Sequence, residues 1–240
     1  MNIKLFTIPN LLTLSNLLCG ACAVVAALRF GDLTLAFLLM ILAAVFDFFD
    51  GFAARLLHRS SPIGLQLDSL ADDISFGLLP SAVLYALYVR MPSLWLPQEE
   101  LWGLAVFLFA AFAALRLARF NIDDTQHTEF CGLPSPAAAM LCASLGWLSE
   151  RYGWTLPREA VLAAAIAVGL LMISPVRMFA LKFHGFGWRG NELRYLFLAA
   201  GALLLALLGG RAVPLVIVLY ILVSVARRFT GRPSEEEETR

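Results

Sequence analysis

Long apolar segments, separated by short polar stretches, make up most of this 240-residue chain. A helix needs about 17–25 mostly apolar residues to cross a bilayer. Eight segments approach or reach that length: 8–28, 33–57, 67–90, 101–121, 135–150, 159–174, 193–209 and 212–228. The fifth and sixth are short, which a tilted, broken or partly peripheral helix would explain. Because these runs are too long and continuous for barrel strands, the pattern predicts an all-α polytopic membrane protein, a bundle of about eight transmembrane helices.

Composition and charge agree with a membrane protein and exclude one other class. The chain is 60% hydrophobic, whereas soluble domains are roughly 45–50% apolar. Its 18 basic residues balance 18 acidic ones, so a broad basic surface for nucleic acid is excluded. With the N-terminus in the cytoplasm, 13 Lys and Arg residues fall on the cytoplasmic side and five on the other, as the positive-inside rule requires. We expect one transmembrane domain, 1–230, and a charged cytoplasmic tail, 231–240.

Four aspartates interrupt the apolar pattern where the second predicted helix ends and the third begins. Asp47 and Asp50 are three residues apart at the end of the second helix, in the stretch FDFFDG. Asp68 and Asp72 are four residues apart at the start of the third. Each spacing places two side chains on one helix face. The intervening turn contains Pro62 and Gly64. If the two helices return side by side, all four carboxylates converge just inside the cytoplasmic face.

Such a cluster needs cations. One Asp at the centre of a membrane helix costs about 2.5–3.5 kcal/mol on insertion scales, and clustered like charges also repel one another. Carboxylate oxygens suit Mg²⁺, Mn²⁺ or Ca²⁺ better than zinc. Gly51 and Ala54 leave room for a ligand beside the carboxylates, and Arg55 can pair with a phosphate. Metal, carboxylate and arginine together indicate chemistry on a phosphate group.

The residues from Asp47 to Asp72 form a longer pattern, D-x₂-D-G-x₂-A-R-x₈-G-x₃-D-x₃-D. It resembles, without a gap or substitution, the signature of the CDP-alcohol phosphatidyltransferase family. The resemblance implies an intramembrane enzyme with a six-helix core plus extra helices and two divalent metal ions, Mg²⁺ or Mn²⁺. It implies that the pyrophosphate of a CDP-linked substrate is broken and that the phosphatidyl group passes to an alcohol, with release of CMP.

The resemblance also implies roles for individual residues. The expected metal ligands are Asp47, Asp50, Asp68 and Asp72. Asp72 is in addition the expected general base, and so the expected catalytic residue. The residues expected at the CDP and phosphate groups are Gly51, Ala54, Arg55 and Gly64. Asp73 lies about 100° around the helix from Asp72 and is not assigned to the metals.

Four further stretches resemble the branch of this family whose acceptor is serine. They are IPNLLTLSNLLCG, LDSLADDISFGLLP, ALRLARFN and GLPSPAAA, which begin at residues 8, 67, 114 and 132. The resemblance implies CDP-diacylglycerol and L-serine as substrates, membrane lipids as surroundings and a homodimer. It also implies a bacterial inner membrane, with the active site facing the cytoplasm.

A second group of polar residues is expected to contact the substrates. Serine carries a carboxylate that favours arginine and an ammonium group that favours a carboxylate or carbonyl. The candidates are Asn10, Thr13, Ser69, Ser75, Arg116, Arg119 and Asn121. Asn10 and Thr13 form a stripe with Asn16 on the first helix, for which interhelical hydrogen bonding is an equal alternative. The alternative for the two arginines is anchoring at the cytoplasmic face, and for the two serines it is helix packing.

Two other functions remain open at this point. The acceptor could instead be glycerol 3-phosphate or inositol phosphate, which share the aspartate signature but would need an additional basic cluster. The chain could also be a divalent-cation transporter, which would spread its carboxylates through the depth of the membrane.

Overall fold

A computed structural model of the chain describes residues 5–58, 61–96, 100–122, 130–179, 187 and 191–229. The predicted tail, 231–240, lies outside these residues. Within them the chain folds into nine α-helices: α1 (Ile8–Val25), α2 (Leu33–Leu56), α3 (Pro62–Asp72), α4 (Leu79–Arg90), α5 (Leu108–Ile122), α6 (Ser135–Tyr152), α7 (Arg158–Ile173), α8 (Glu192–Leu208) and α9 (Ala212–Phe229). One π-helical segment, Ala26–Phe30, extends α1, and another, Asp73–Leu78, joins α3 to α4. A 3₁₀ segment, Glu100–Phe107, leads into α5.

The prediction of a helical membrane protein is confirmed, and each of the eight apolar segments is mainly helical. Five helical segments of the described chain are long and apolar enough to cross a bilayer: Ile8–Phe30, Leu33–Leu56, Pro62–Arg90, Leu101–Ile122 and Glu192–Arg227. The two short predicted segments form α6 and α7, of 18 and 16 residues.

The segment Glu192–Arg227 is a helical hairpin rather than one continuous helix. Its two halves, α8 and α9, meet at a 3₁₀ turn, Gly209–Arg211. A methyl group placed on Gly201 in α8 would lie 3.6 Å from a methyl group of Val216 in α9. Residues on opposite sides of the turn therefore pack against each other, so the two helices run antiparallel.

Helix α3 begins earlier than the apolar pattern indicates. The hydroxyl of Ser61 accepts a hydrogen bond from the backbone N–H of Gly64 at 3.1 Å and caps the helix. Pro62 takes the first helical position, for which its fixed φ is suited. Pro62 and Gly64 therefore lie in the first turn of α3 and not in the connection before it. This extension places Asp68 and Asp72 in the second and third turns.

Helix α1 packs most extensively along α2 and also contacts α3 and the π-helical segment Asp73–Leu78. Gly20 allows the last of these contacts, because a methyl group at Gly20 would collide with the hydroxyl of Ser75. The buried apolar side chains form two clusters. One includes Phe37 and Met40 of α2, and the other includes Tyr88 and Phe109 near the middle of the chain.

A two-residue β-pairing is a small departure from the all-α prediction. Phe130–Cys131 pairs antiparallel with Arg177–Met178. The next residue, Gly132, has φ +81°, and a side chain there would collide with the carbonyl oxygen of Met172. The pairing holds the residues that precede α6 next to those that follow α7.

Candidate active site

The four aspartates meet where the end of α2 lies beside α3, as the sequence predicts. Oxygen atoms of Asp47, Asp50 and Asp68 lie within 4.8 Å of one another. Ligand oxygens on opposite sides of a Mg²⁺ or Ca²⁺ ion are about 4–5 Å apart, so these three carboxylates fit a divalent cation. The fourth, Asp72, is close enough to Asp47 for the two carboxyl groups to interact.

Helix α1 positions one carboxylate of each pair. The hydroxyl of Thr13 donates to Oδ2 of Asp50 at 2.6 Å. One turn later, Nδ2 of Asn16 donates to Oδ1 of Asp72 at 3.1 Å. Both α1 side chains are buried. Two residues of the polar stripe, Thr13 and Asn16, therefore make interhelical hydrogen bonds, and the contact of the stripe with a nucleotide stays a prediction.

A cavity of about 180 Å³ opens beside the carboxylates, among α1, α2 and α3. Seven of the predicted site residues line it: Asn10, Thr13, Asp50, Gly51, Ala54, Gly64 and Asp68. Gly51 borders open space, because a methyl group there would meet only a guanidinium nitrogen of Arg55, at 3.6 Å. Arg55 is exposed and lies beside the cavity. The residues expected at the CDP and phosphate groups are thus brought together.

Four of the other predicted substrate contacts form hydrogen bonds within the protein itself. Nδ2 of Asn121 donates to the hydroxyl of Ser69 at 2.7 Å, which joins α5 to α3. Ser75 is fully buried and its hydroxyl donates to the carbonyl oxygen of Asn16 at 3.1 Å. Ser75 therefore acts in the packing of α1 and does not line the cavity. Arg119 is exposed, and one of its guanidinium nitrogens donates to Sγ of Cys131 at 3.4 Å.

Arg116 is the most unusual cation of the site. Its residue is 8% exposed, and one guanidinium nitrogen donates to the hydroxyl of Ser135 at 3.0 Å. Its Nε atom is buried and has no hydrogen-bond partner among the described residues. Asp72 is close enough to interact with it electrostatically. Since a buried guanidinium with one neutral partner is costly, this position suits an anionic ligand.

The sequence pattern does not identify two residues that bond directly to predicted site residues: Asn16, which bonds Asp72, and Ser135, which bonds Arg116. Asn16 was read only as part of a stripe, although its spacing from Thr13 puts both on the face that meets the aspartates. Ser135 lies in the quoted stretch GLPSPAAA, but its contact with Arg116 depends on how α5 and α6 pack. Oδ1 of Asp73 lies beside Gly77, and Asp73 is not among the carboxylates whose oxygens gather within 4.8 Å of one another.

Comparisons with known proteins give the same assignment as the geometry. The sequence profile of the CDP-alcohol phosphatidyltransferase family matches residues 6–181. A Helicobacter pylori protein named CDP-diacylglycerol–serine O-phosphatidyltransferase is 34% identical over 178 residues, 72% of each chain. Proteins of the same name from Methanocaldococcus jannaschii and Bacillus subtilis are each 33% identical, over 72% and 74% of this chain and 74% and 92% of their own. The region matched by the family profile includes all four aspartates, and the chain belongs to the CDP-alcohol phosphatidyltransferase family.

Proposed function

We propose that this chain transfers the phosphatidyl group of CDP-diacylglycerol to the hydroxyl group of L-serine and releases CMP. The observation that carries the proposal is the meeting of two aspartate pairs beside a cavity lined by small residues. The three relatives, which are named for transfer to serine and cover most of the chain, support serine as the acceptor.

The aspartates would hold two divalent ions, Mg²⁺ or Mn²⁺. Asp47, Asp50 and Asp68 have the spacing that a cation needs, and Asp72 is close enough to add a ligand. When bound, such ions supply positive charge that offsets the pyrophosphate and the charge developing at phosphorus.

Asp72 is the proposed general base. Its carboxylate accepts the proton of the serine hydroxyl as the serine oxygen forms a bond to the phosphorus that carries diacylglycerol. The bond from that phosphorus to the bridging oxygen of the pyrophosphate breaks, and the electron pair leaves with CMP. Asn16, which donates to Oδ1 of Asp72, would hold this carboxylate in place.

The cavity would receive the CDP group. Gly51, Ala54 and Gly64 give the nucleotide access to the backbone of α2 and α3. Asn10, at the same wall, donates through Nδ2 to the carbonyl oxygen of Leu5 at 2.8 Å and would offer its side-chain oxygen to the base or ribose. Arg55 beside the cavity would pair with phosphate. Thr13 would contribute mainly through its hydrogen bond to Asp50.

Arg116 is the proposed contact for the carboxylate of serine. It is buried, incompletely hydrogen-bonded and close to Asp72, so a serine carboxylate at Arg116 would bring the hydroxyl towards the base. Arg119, Asn121 and Ser69 would shape the same region less directly.

The two rival functions fit the geometry less well. Glycerol 3-phosphate and inositol phosphate carry a dianionic group, for which Arg116 alone is a poor match. A cation pathway needs acidic groups at several depths of the membrane, whereas the four aspartates gather at one end of the bundle.

The finer membrane arrangement is also a proposal. We infer eight crossings, a homodimer and a bacterial inner membrane with the aspartates on the cytoplasmic side. The distribution of Lys and Arg supports this orientation.

A cysteine introduced at position 58 should react with an impermeant reagent only from the cytoplasmic side, and one at position 153 only from the other side. Equal labelling of both positions from one side would contradict eight crossings.

The choice of acceptor can be tested with purified protein in lipid micelles. We expect labelled CDP-diacylglycerol and Mn²⁺ or Mg²⁺ to give phosphatidylserine and equimolar CMP when serine is added. Glycerol 3-phosphate and inositol phosphate serve as matched acceptors and should give no product. A product with either of these and none with serine would refute the assignment, and metal flux without CMP release would favour the transporter.

Asp72→Asn should abolish turnover but leave much CDP-lipid binding intact, because the amide cannot accept the proton. Loss of a general base lowers the rate by typically 10²–10⁴-fold. Asp68→Asn should weaken metal and nucleotide binding as well. Asp73→Asn is the matched control and should have nearly normal turnover. Near-normal turnover of Asp72→Asn would show that another group is the base.

Arg116→Gln should raise the KM for serine with little change in the KM for CDP-diacylglycerol. Hydrogen bonds to charged groups are worth about 1.5–3 kcal/mol, which corresponds to an increase of roughly 10- to 100-fold. Arg119→Gln, a change of the same type at an exposed position, should alter the serine KM much less. An effect confined to the KM of the CDP-lipid would instead place Arg116 at the lipid phosphate.

A further inference from the structure

A second cavity, of about 500 Å³, lies at the other end of the bundle, between the end of α6 and the start of α9. One part of its wall is polar or aromatic and includes Tyr152, Trp154, Thr155 and Arg211. The other part is apolar and includes Leu148 and Leu215. None of the residues assigned to the active site lines it.

The length of helix α6 indicates where this cavity lies across the membrane. Ser135 at its first turn contacts Arg116, close to the aspartates, whereas Tyr152 ends the helix. Eighteen residues at 1.5 Å each span about 27 Å, which is close to the ~30 Å thickness of the hydrocarbon core. In the proposed topology the second cavity therefore lies at the opposite boundary between lipid and water.

Arg211 gives this cavity a positive charge. Its guanidinium group lies over the ring of Tyr152, 4.2 Å from the ring centre. Among the described residues, no carboxylate forms an ion pair with Arg211; the pair of Arg90 with Glu150 is a separate one. Only five of the chain's 18 Lys and Arg residues are expected on this side, so Arg211 is not part of a general basic surface.

The lining matches the parts of a phospholipid. A guanidinium group can donate two hydrogen bonds to the oxygens of a phosphodiester. Trp and Tyr side chains favour the depth of lipid headgroups, and Trp154 and Tyr152 are both exposed there. The leucine wall suits the first part of an acyl chain. A free phosphate ion would use Arg211 but not this wall.

We propose that this cavity binds one glycerophospholipid of the leaflet opposite the active site, with Arg211 as the contact for its phosphodiester group. The bound lipid would fill the space between α6 and α9 and hold the α8–α9 hairpin against the rest of the bundle. The site is independent of the transfer reaction and does not rest on the identity of the acceptor.

Native mass spectrometry of the purified, delipidated full chain with added phosphatidylglycerol tests this proposal. The wild-type protein should retain a tightly bound phospholipid that Arg211→Gln binds at least about tenfold more weakly. Arg29→Gln is the matched control, because Arg29 is also exposed and is expected on the same side of the membrane. It should bind as the wild type does. Equal lipid retention by Arg211→Gln and Arg29→Gln would overturn the proposal.

Two further measurements separate the lipid from other ligands. Inorganic phosphate in large excess should not displace the lipid, and displacement would show a simple anion site instead. Trp154→Ala should also weaken lipid retention, whereas an unchanged value would exclude a headgroup seated against the aromatic wall. Serine transfer in micelles should be unaffected by Arg211→Gln, so failure of the lipid proposal can be distinguished from failure of the proposed function.

Discussion

Holding four carboxylates together at the end of an apolar bundle is the constraint on which the rest of this structure depends. Two unit charges 4 Å apart repel by about 4 kcal/mol at an effective dielectric constant of 20. Hydrogen bonds from α1 to Asp50 and Asp72 offset part of this repulsion and fix the two side chains. The donors, Thr13 and Asn16, are neutral and cannot cancel the negative charge. The cluster therefore requires divalent cations.

The packing of α1 follows from that requirement. Gly20 lets α1 approach the π-helical segment that follows Asp72, and the hydroxyl of Ser75 ties that segment to the backbone of Asn16. This approach brings Asn16 within reach of Asp72, whereas Thr13 reaches Asp50 through the packing of α1 along α2. The same face of α1 carries Asn10 into the wall of the first cavity. One helix therefore orders the carboxylates and borders the space where a nucleotide would bind.

Much of this site could be predicted because its spacing is local. The two aspartate pairs, and the small residues beside them, follow from helical periodicity within 26 residues of sequence. The start of α3 at Pro62 was missed because a cap and a proline extend the helix into a polar stretch. The contacts of Asn16 with Asp72 and of Arg116 with Ser135 join residues 56 and 19 positions apart. Their existence depends on tertiary packing, which periodicity alone does not specify.

The central claim is that the aspartates from α2 and α3 form one metal centre. Electron paramagnetic resonance of bound Mn²⁺, with CDP-diacylglycerol present, tests it most directly. Wild-type protein should bind two ions whose spins are coupled, since paired metal sites hold their ions about 3.5–4 Å apart. Asp50→Asn should lose at least one ion and the coupling, and Arg211→Gln should lose neither. Full binding of two coupled ions by Asp50→Asn and Asp68→Asn would contradict the account.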